Sequence, residues 1–149
     1  MPETIKNQNL SLNNQICFSL YSASNAMIRA YRPLLEKLDL TYPQYLAMMV
    51  LWEHDGISVK TLGKKLHLDS GTLTPLLKRL EGKGFVSRGR SSEDERMRVL
   101  HLTEQGCLLK IQAQSVPEMM KCKVQDLEMD LASFKQACDK LHQVLAGNQ

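Results

Sequence analysis

The feature that most constrains this chain is a change of hydrophobic period at Gly84. Before it, leucines recur at helical spacing in two short segments, residues 58–68 and 70–83, which a tight turn joins. After it, residues 85–88 and 98–102 alternate as strands do, and a polar, highly charged loop separates them. Two short helices followed by a charged hairpin predict a winged helix-turn-helix.

The segment before this unit has a helical pattern as well. Apolar residues recur at helical spacing over residues 10–38, where Pro33 is expected to kink or split the helix. Residues 1–9 are mostly polar and are expected to form a disordered or frayed arm. The next helix is expected to open at Thr41-Tyr42-Pro43, since proline is tolerated in a first helical turn.

The segment after the hairpin is predicted to be helical over residues 104–146. Thr103 is expected to cap it, and breaks are expected at Pro117 and near Asp130. The predicted fold class is mainly α with a small β-wing, dimerised through N- and C-terminal helices. Within one compact domain, we expect dimerisation and sensing helices at 1–40, the DNA-binding region at 41–103 and dimerisation helices at 104–149.

Composition excludes several classes of protein. The net charge is only +3, so DNA binding must rest on local clusters of charge. No apolar run approaches the roughly 20 residues that span a bilayer, and the polar N-terminus does not resemble a secretory signal. We therefore expect a cytoplasmic protein without a membrane partner. The four cysteines form no CxxC pair and the histidines are scattered, which predicts neither a metal site nor a cofactor.

The second helix of the predicted unit has a polar, basic face opposite its leucines. Small residues near its start would allow close approach to base edges, while lysine and arginine reach phosphates. An arginine at the hairpin tip suits a narrow minor groove, and Asp94 is expected to orient Arg96 or brace the wing. The candidate DNA-binding residues are Ser70, Thr72, Thr74, Pro75, Lys78, Arg79, Arg88, Arg90, Asp94 and Arg96.

These motifs resemble those of a known family. The segment LDSGTLTPLLKRLEGKGFVSRGRSSEDERMRVLHLTEQG resembles the winged-helix core of MarR-family regulators, whose Asp-x-Arg wing motif matches Asp94 and Arg96. The segments NQICFSLYSAS and TYPQYLAMMVLWEH are similar to the OhrR branch, which represses organic-hydroperoxide resistance genes. The resemblance implies a homodimeric repressor of inverted-repeat operator DNA that releases the DNA when an organic hydroperoxide oxidises Cys17.

The resemblance also implies partners for Cys17. In the OhrR branch two tyrosines of the other subunit contact the sensing thiol, and they correspond here to Tyr31 and Tyr42. Distance agrees with this: on a continuous helix, the fourteen residues from Cys17 to Tyr31 would span about 21 Å. Tyr31 could then reach only the Cys17 of a second subunit, as in a C2 dimer. Tyr21, one turn from Cys17, is a possible neighbour in the same chain.

Members of that branch use either an external thiol or a second cysteine in the C-terminal helices to form a disulfide. Cys122 is the first candidate for this resolving role, Cys138 the second and Cys107 the last. A sulfenic acid formed at Cys17 would condense with the chosen thiol. Each of the three could equally be a packed or surface thiol without a role.

Two other functions remain open from the sequence. One is a MarR-type repressor released by a small phenolic or apolar ligand, with Cys17 not the sensor. The other is a thiol peroxidase, but the chain shows no paired acid and base, no Ser/His/Asp arrangement and no phosphate-binding glycine loop. We therefore expect a regulator and not an enzyme.

Overall fold

A computed structural model describes residues 8–94 and 96–147 of the chain, so most of the arm expected at residues 1–9 lies outside the described residues. The helices are α1 (Ile16–Glu36), α2 (Tyr42–Glu53), α3 (Val59–Leu66), α4 (Ser70–Gly82), α5 (Glu104–Ala113), α6 (Val116–Lys123) and α7 (Leu131–Ala146). The strands are β1 (Ile57–Ser58), β2 (Val86–Arg90) and β3 (Arg98–Leu102). In the described part of the chain, no helix is long and apolar enough to cross a membrane.

The N-terminal helix differs from its prediction in two respects. It begins at Ile16 and not near residue 10, and the described residues before it form two short 3-10 turns, Gln8–Leu10 and Leu12–Asn14. The leucines of those turns are exposed, so no packing stabilises a longer helix there. The helix also continues through Pro33, because the core contacts of the next two residues, Leu34 and Leu35, offset the hydrogen bond that proline cannot make.

The joint between α1 and α2 is tightly built. Asp39 takes a left-handed conformation (φ 55°) where the chain leaves α1, and Leu40 is buried in the core. Thr41 then caps α2 in a capping box, in which its hydroxyl accepts from the Gln44 amide while the Gln44 side chain accepts from the Thr41 amide. Pro43 lies in the first turn, which confirms the helix start expected from the sequence.

The helix-turn-helix and wing follow the predicted order. Asp69 caps α4, and Gly84 ends it with φ 81°, a conformation that favours glycine. Strands β2 and β3 pair in antiparallel fashion from Val86↔Leu102 to Arg90↔Arg98. The two-residue strand β1, which the sequence pattern does not indicate, pairs with the other side of β3 and gives the strand order β1-β3-β2.

The core lies where α1, α2, α3, α4 and the sheet meet. It is made mainly of buried leucines and also includes the fully buried Met48. The first turn of α5 packs closely on the wing: a Cβ on Gly106 would lie 2.1 Å from the carbonyl oxygen of Phe85, so only glycine fits there. Trp52 fixes the same contact, since its indole N–H donates to the Gly106 carbonyl at 2.9 Å.

The C-terminal helices have both predicted breaks, of which the one near Asp130 is confirmed and the other lies a few residues before Pro117. The first break follows Ala113, and Pro117 lies inside the first turn of α6, where its missing N–H costs nothing. A second non-helical stretch separates α6 from α7, and Asp130 caps α7. No residue of α7 is buried in the single chain. Exposed apolar side chains are found on α1 and α7, among them Ile16, Phe18, Leu20, Met27, Phe134, Leu141, Val144 and Leu145.

Candidate DNA-binding surface and thiol site

The helix α4, which we call the reading helix, presents its polar face to solvent. Its leucines, Leu73, Leu76, Leu77 and Leu80, are all buried. The residues predicted to contact DNA from this helix are all exposed: Ser70, Thr72, Thr74, Pro75, Lys78 and Arg79. Helical structure continues through Pro75, which lies inside the helix.

The start of the reading helix is fixed by its cap. The carboxylate of Asp69 accepts a hydrogen bond from the Thr72 amide at 2.8 Å. Hydrogen bonds from Thr72, chiefly this backbone one, lower the pKa of Asp69, because they favour the charged carboxylate. The cap therefore holds the small residues that follow it in one orientation.

The wing arginines have different surroundings. Arg88 is mostly buried, and its Nε lies 2.8 Å from Oε2 of Glu81 on the reading helix. Arg90 and Arg96 are exposed. The sequence singled out Arg88 as a DNA contact but missed Glu81, because nothing local marks an ion pair between a helix and the following strand.

The wing tip is braced through its backbone. The Asp94 carboxylate accepts from the amide of Arg96 at 3.0 Å, and the Asp94 carbonyl accepts from the amide of Met97. The amide of Ser91 donates to the Met97 carbonyl at 2.8 Å. Asp94 therefore shapes the turn that carries Arg96, which is the bracing alternative of the sequence prediction, and the Arg96 side chain extends into solvent.

A carboxylate outside the wing ties it to α2. Asp55 Oδ1 accepts from the amide of Leu102 at 2.8 Å and from the amide of Gly56 at 2.9 Å. The hydroxyl of Thr103 donates to the carbonyl of Gly84 at 2.6 Å, which joins the end of β3 to the end of the reading helix. Sequence reasoning missed the role of Asp55, because its partner lies 47 residues away in the chain.

The predicted thiol site is not assembled within one chain. Cys17 is exposed and lies near the start of α1. Tyr31 lies near the other end of the same unbroken helix, about 21 Å along its axis at the rise of an α-helix. Because α1 is continuous, Tyr31 cannot reach the Cys17 of its own chain, as the sequence predicted.

The two candidate tyrosines do lie together. The ring centroids of Tyr31 and Tyr42 are 4.8 Å apart, and Tyr45 adds a third ring at 5.9 Å from Tyr31 and 6.4 Å from Tyr42. Burial raises the pKa of all three hydroxyls above its usual value, and the neighbouring phenols add to this for Tyr42 and Tyr45. They therefore remain protonated hydrogen-bond donors at neutral pH. The sequence missed Tyr45, although its spacing of three from Tyr42 placed it on the same helix face.

The other cysteines lie on the C-terminal helices. Cys107 and Cys122 are exposed, on α5 and α6. Cys138 on α7 is half-buried and lines, together with Tyr42, one side of a broad open cavity. The same cavity is lined by two imidazoles in contact, those of His67 and His142, whose centroids are 3.9 Å apart and whose planes are tilted by 30°. Across the described residues, no three His, Cys, Asp or Glu side chains group as metal ligands would.

A winged helix with a cationic hairpin beside a polar helix is the architecture of a class of DNA-binding regulators. Residues 29–112 match the family model described as transcriptional regulator SarA/Rot. The chain is 46% identical over 142 residues to the organic hydroperoxide resistance transcriptional regulator of Bacillus subtilis, covering 93% of this chain and 97% of that protein. The chain thus belongs to the MarR/SarA family of transcriptional regulators, in the branch of the organic hydroperoxide regulators.

Solved structures agree with this assignment. Reduced AbfR bound to DNA superposes with a TM-score of 0.78 at 34% identity, over 96% of this chain and 98% of that one. AbfR, a Staphylococcus epidermidis protein, has also been solved with a disulfide formed, and that structure superposes with a TM-score of 0.63 at the same identity over 95% of each chain. The predictions of a winged helix-turn-helix and of a DNA-binding regulator that is not an enzyme are therefore confirmed by the relatives.

Proposed function

We propose that this regulator is a homodimeric repressor that senses organic hydroperoxides through Cys17 and then releases operator DNA. The observation that carries the proposal is the unbroken helix α1, which holds the exposed thiol of Cys17 near one end and, about 21 Å away, the half-buried Tyr31, whose ring packs against Tyr42 of α2. Each chain therefore contributes its thiol to one site and its tyrosines to a second site. A twofold dimer completes both, since each Cys17 then meets the Tyr31 and Tyr42 of the other subunit.

The exposed apolar surface supports such a dimer. The N-terminal half of α1 and the whole of α7 expose large apolar side chains and bury none in the single chain. Exposed apolar side chains concentrated on two helices in this way are typical of an interface between subunits. Pairing through the N- and C-terminal helices would bury it and bring the start of one α1 towards the joint of the other chain.

In the reduced dimer, the two reading helices bind successive major grooves of an inverted repeat. Ser70, Thr72, Thr74 and Pro75 approach base edges, while Lys78 and Arg79 bind phosphates. On the wing, Arg90 and Arg96 enter or flank the minor groove, Asp94 shapes the turn that carries Arg96, and Arg88 holds the wing against the reading helix through Glu81.

The sensing chemistry begins with the thiolate of Cys17. The hydroxyls of Tyr31 and Tyr42 from the other subunit donate hydrogen bonds that stabilise it, and their raised pKa values keep them protonated. The thiolate attacks the outer peroxide oxygen, the O–O bond breaks, and the alkoxide takes a proton and leaves as an alcohol. The product is a sulfenic acid at Cys17, two electrons more oxidised than the thiol.

A second thiol then completes the switch. Its sulfur attacks the sulfenic sulfur, a disulfide forms and water leaves. Cys122 of the other subunit is the first candidate, with Cys138 and an external thiol as alternatives. The disulfide structure of the relative AbfR supports this step. A disulfide requires Cα atoms within about 7 Å, so its formation draws helix ends together and alters the spacing of the reading helices from the roughly 34–36 Å that two half-sites need.

The proposal is tested by titrating labelled operator candidates from the gene's upstream region with wild type, Cys17→Ser and Cys122→Ser, before and after addition of an organic hydroperoxide. Wild type is expected to release DNA and Cys17→Ser to remain bound. The response of Cys122→Ser reports whether this cysteine forms the disulfide. Equal release by Cys17→Ser, or no release by wild type, would refute the thiol switch and favour the repressor that a small ligand releases.

A further inference from the structure

Lys83 connects two parts of the molecule that have different tasks in the proposed switch. It is the C-cap of the reading helix, and about three quarters of its side chain is buried. Its ammonium donates to Oε1 of Gln44 at 3.0 Å and to the backbone carbonyl of Asp39, and it lies 3.4 Å from the Asp39 carboxylate. One side chain at the end of the reading helix thus holds both sides of the α1–α2 joint.

The side chain of Gln44 is the centre of this contact. It is only 2% exposed, and its carbonyl oxygen accepts from both the Thr41 amide and Lys83. The same first turn of α2 carries Tyr42, whose ring lies against Tyr31. A displacement of Tyr42 therefore moves the turn whose cap Lys83 binds.

Lys83 is badly placed for a direct role in reading DNA. The reading helix has 13 residues, so its C-terminus lies about 20 Å from the end that carries Ser70 and Thr72. The ammonium is directed to the joint, where two carbonyl oxygens and a carboxylate surround it. A cation at a helix C-terminus is favourable on its own, but that does not account for three contacts to a different element.

We propose that Lys83 is a positioning residue that couples the tyrosine-bearing turn of α2 to the reading helix, so that oxidation at the thiol site changes DNA affinity. This inference rests on the proposed function. Loss of the thiolate at Cys17 removes the acceptor of the Tyr31 and Tyr42 hydroxyls, the first turn of α2 shifts, and Lys83 transmits the shift to the C-terminus of the reading helix. Lys83 contacts neither the thiol nor the bases.

The test compares Lys83→Met, which removes the donors and keeps the aliphatic stem, with Lys37→Met. Lys37 is an exposed lysine two residues before Asp39, and its side chain makes no polar contact within the described ranges, so this control removes the same charge from the same joint. Three quantities are measured for each full-length dimer: the operator Kd when reduced, the operator Kd after hydroperoxide, and the rate of Cys17 oxidation. The ratio of the two Kd values is the coupling, for which about 5- to 150-fold is usual in allosteric proteins.

Lys83→Met is expected to oxidise Cys17 at the wild-type rate while its Kd ratio falls at least about fivefold, towards one. Lys37→Met should keep the wild-type ratio, and Lys83→Arg should restore it, because a guanidinium also donates to both oxygens. A merely structural role would lower the melting temperature and weaken both Kd values equally, leaving the ratio unchanged. If the Kd ratio of Lys83→Met is unchanged while the wild-type dimer does release DNA, the inference is overturned and the proposed function stands.

Two further outcomes are distinguishable. If wild type itself ignores hydroperoxide, the proposed function fails, and the inference fails with it. If Lys83→Met does not fold, Lys83→Gln, which is shorter and loses the positive charge, takes its place with the same expectation of a reduced ratio. An unchanged ratio in that variant again overturns the coupling role.

Discussion

A mixed dimer can decide whether the thiol and its tyrosines belong to different subunits. One subunit carries Cys17→Ser, and the other carries both Tyr31→Phe and Tyr42→Phe. If the sites form across the dimer, the one remaining Cys17 meets the intact tyrosines of the first subunit. If each chain formed its own site, that Cys17 would meet only phenylalanines. Because α1 is unbroken and separates Cys17 from Tyr31 by about 21 Å, we expect the first result.

The expected size of the effect follows from the lost hydrogen bonds. A hydrogen bond to a charged group contributes about 1.5–3 kcal/mol. Even the lower value, for one of the two bonds, corresponds to about a tenfold change in the population of the thiolate. In the homodimer of the Tyr31→Phe, Tyr42→Phe variant, oxidation of Cys17 should therefore be at least about tenfold slower than in wild type.

The assay follows the Cys17 peptide by mass spectrometry after thiol labelling at successive times with limiting hydroperoxide. Differently tagged subunits are co-expressed and purified in tandem, so that only mixed dimers remain. The matched control places all three substitutions in one subunit opposite a wild-type partner. Its single Cys17 then faces phenylalanines across the dimer and should react slowly. A mixed dimer as slow as the doubly substituted homodimer, together with a fast control, would refute the assignment of the site to two subunits.

Other outcomes are expected at single positions. Gly106→Ala should lower the free energy of unfolding by about 1–3 kcal/mol in urea titrations, since its Cβ would lie 2.1 Å from the Phe85 carbonyl oxygen; unchanged stability contradicts that packing. Hydrogen bonds from Thr72 lower the pKa of Asp69, so this cap stabilises the fold above the unfolded pKa of about 3.9 and the contribution is lost as pH falls through the folded value. In Asp69→Asn, the urea midpoint should therefore change less with pH below about 4 than it does in wild type. A pH profile identical to that of wild type counts against the cap. Lys78→Ala should weaken operator binding and reduce by about one the slope of the logarithm of the binding constant against the logarithm of salt concentration. An unaltered slope means that Lys78 binds no phosphate.

The winged helix-turn-helix could be predicted because its signals are local. Leucine spacing defines the helices, Asp69 and Gly84 define the ends of the reading helix, and alternation defines the two long strands of the wing. Each of these depends on residues within about one or two turns of each other, which a sequence pattern records directly. The expected cap at Thr103 was correct for the same reason.

The errors concern long-range contacts. The predicted helix before Ile16 has helical spacing, but its leucines Leu10 and Leu12 are exposed in the single chain. Pro33 is tolerated because Leu34 and Leu35 are buried beside it. Strand β1 is too short to show the alternating pattern of a strand, and it forms by pairing with β3. The partners of Arg88 and Lys83 were likewise invisible, since each depends on how separate elements pack.

The thiol site was predicted in its parts but not in its surroundings. The resemblance supplied Cys17, Tyr31 and Tyr42, and the structure brings the two tyrosines together while leaving the cysteine distant. Tyr45 was missed because a third ring has no motif of its own. The choice among the resolving cysteines stays a prediction, since it depends on how two chains pair.

The pairing of β1 with the wing hairpin makes the wing act as a rigid lever arm. Because β1 pairs with β3 on the side opposite β2, and Asp55, just after α2, binds the end of β3, the base of the hairpin is held on two sides, and we expect the hairpin to move with the rest of the winged unit. Five residues of β2 make an arm of about 17 Å, so tilting the whole winged unit by about 10° sweeps its tip through about 3 Å. The donor–acceptor distance of a hydrogen bond varies by only a few tenths of an ångström. An Arg96 bound to DNA would therefore lose its contact after a rotation that hardly moves the base of the wing.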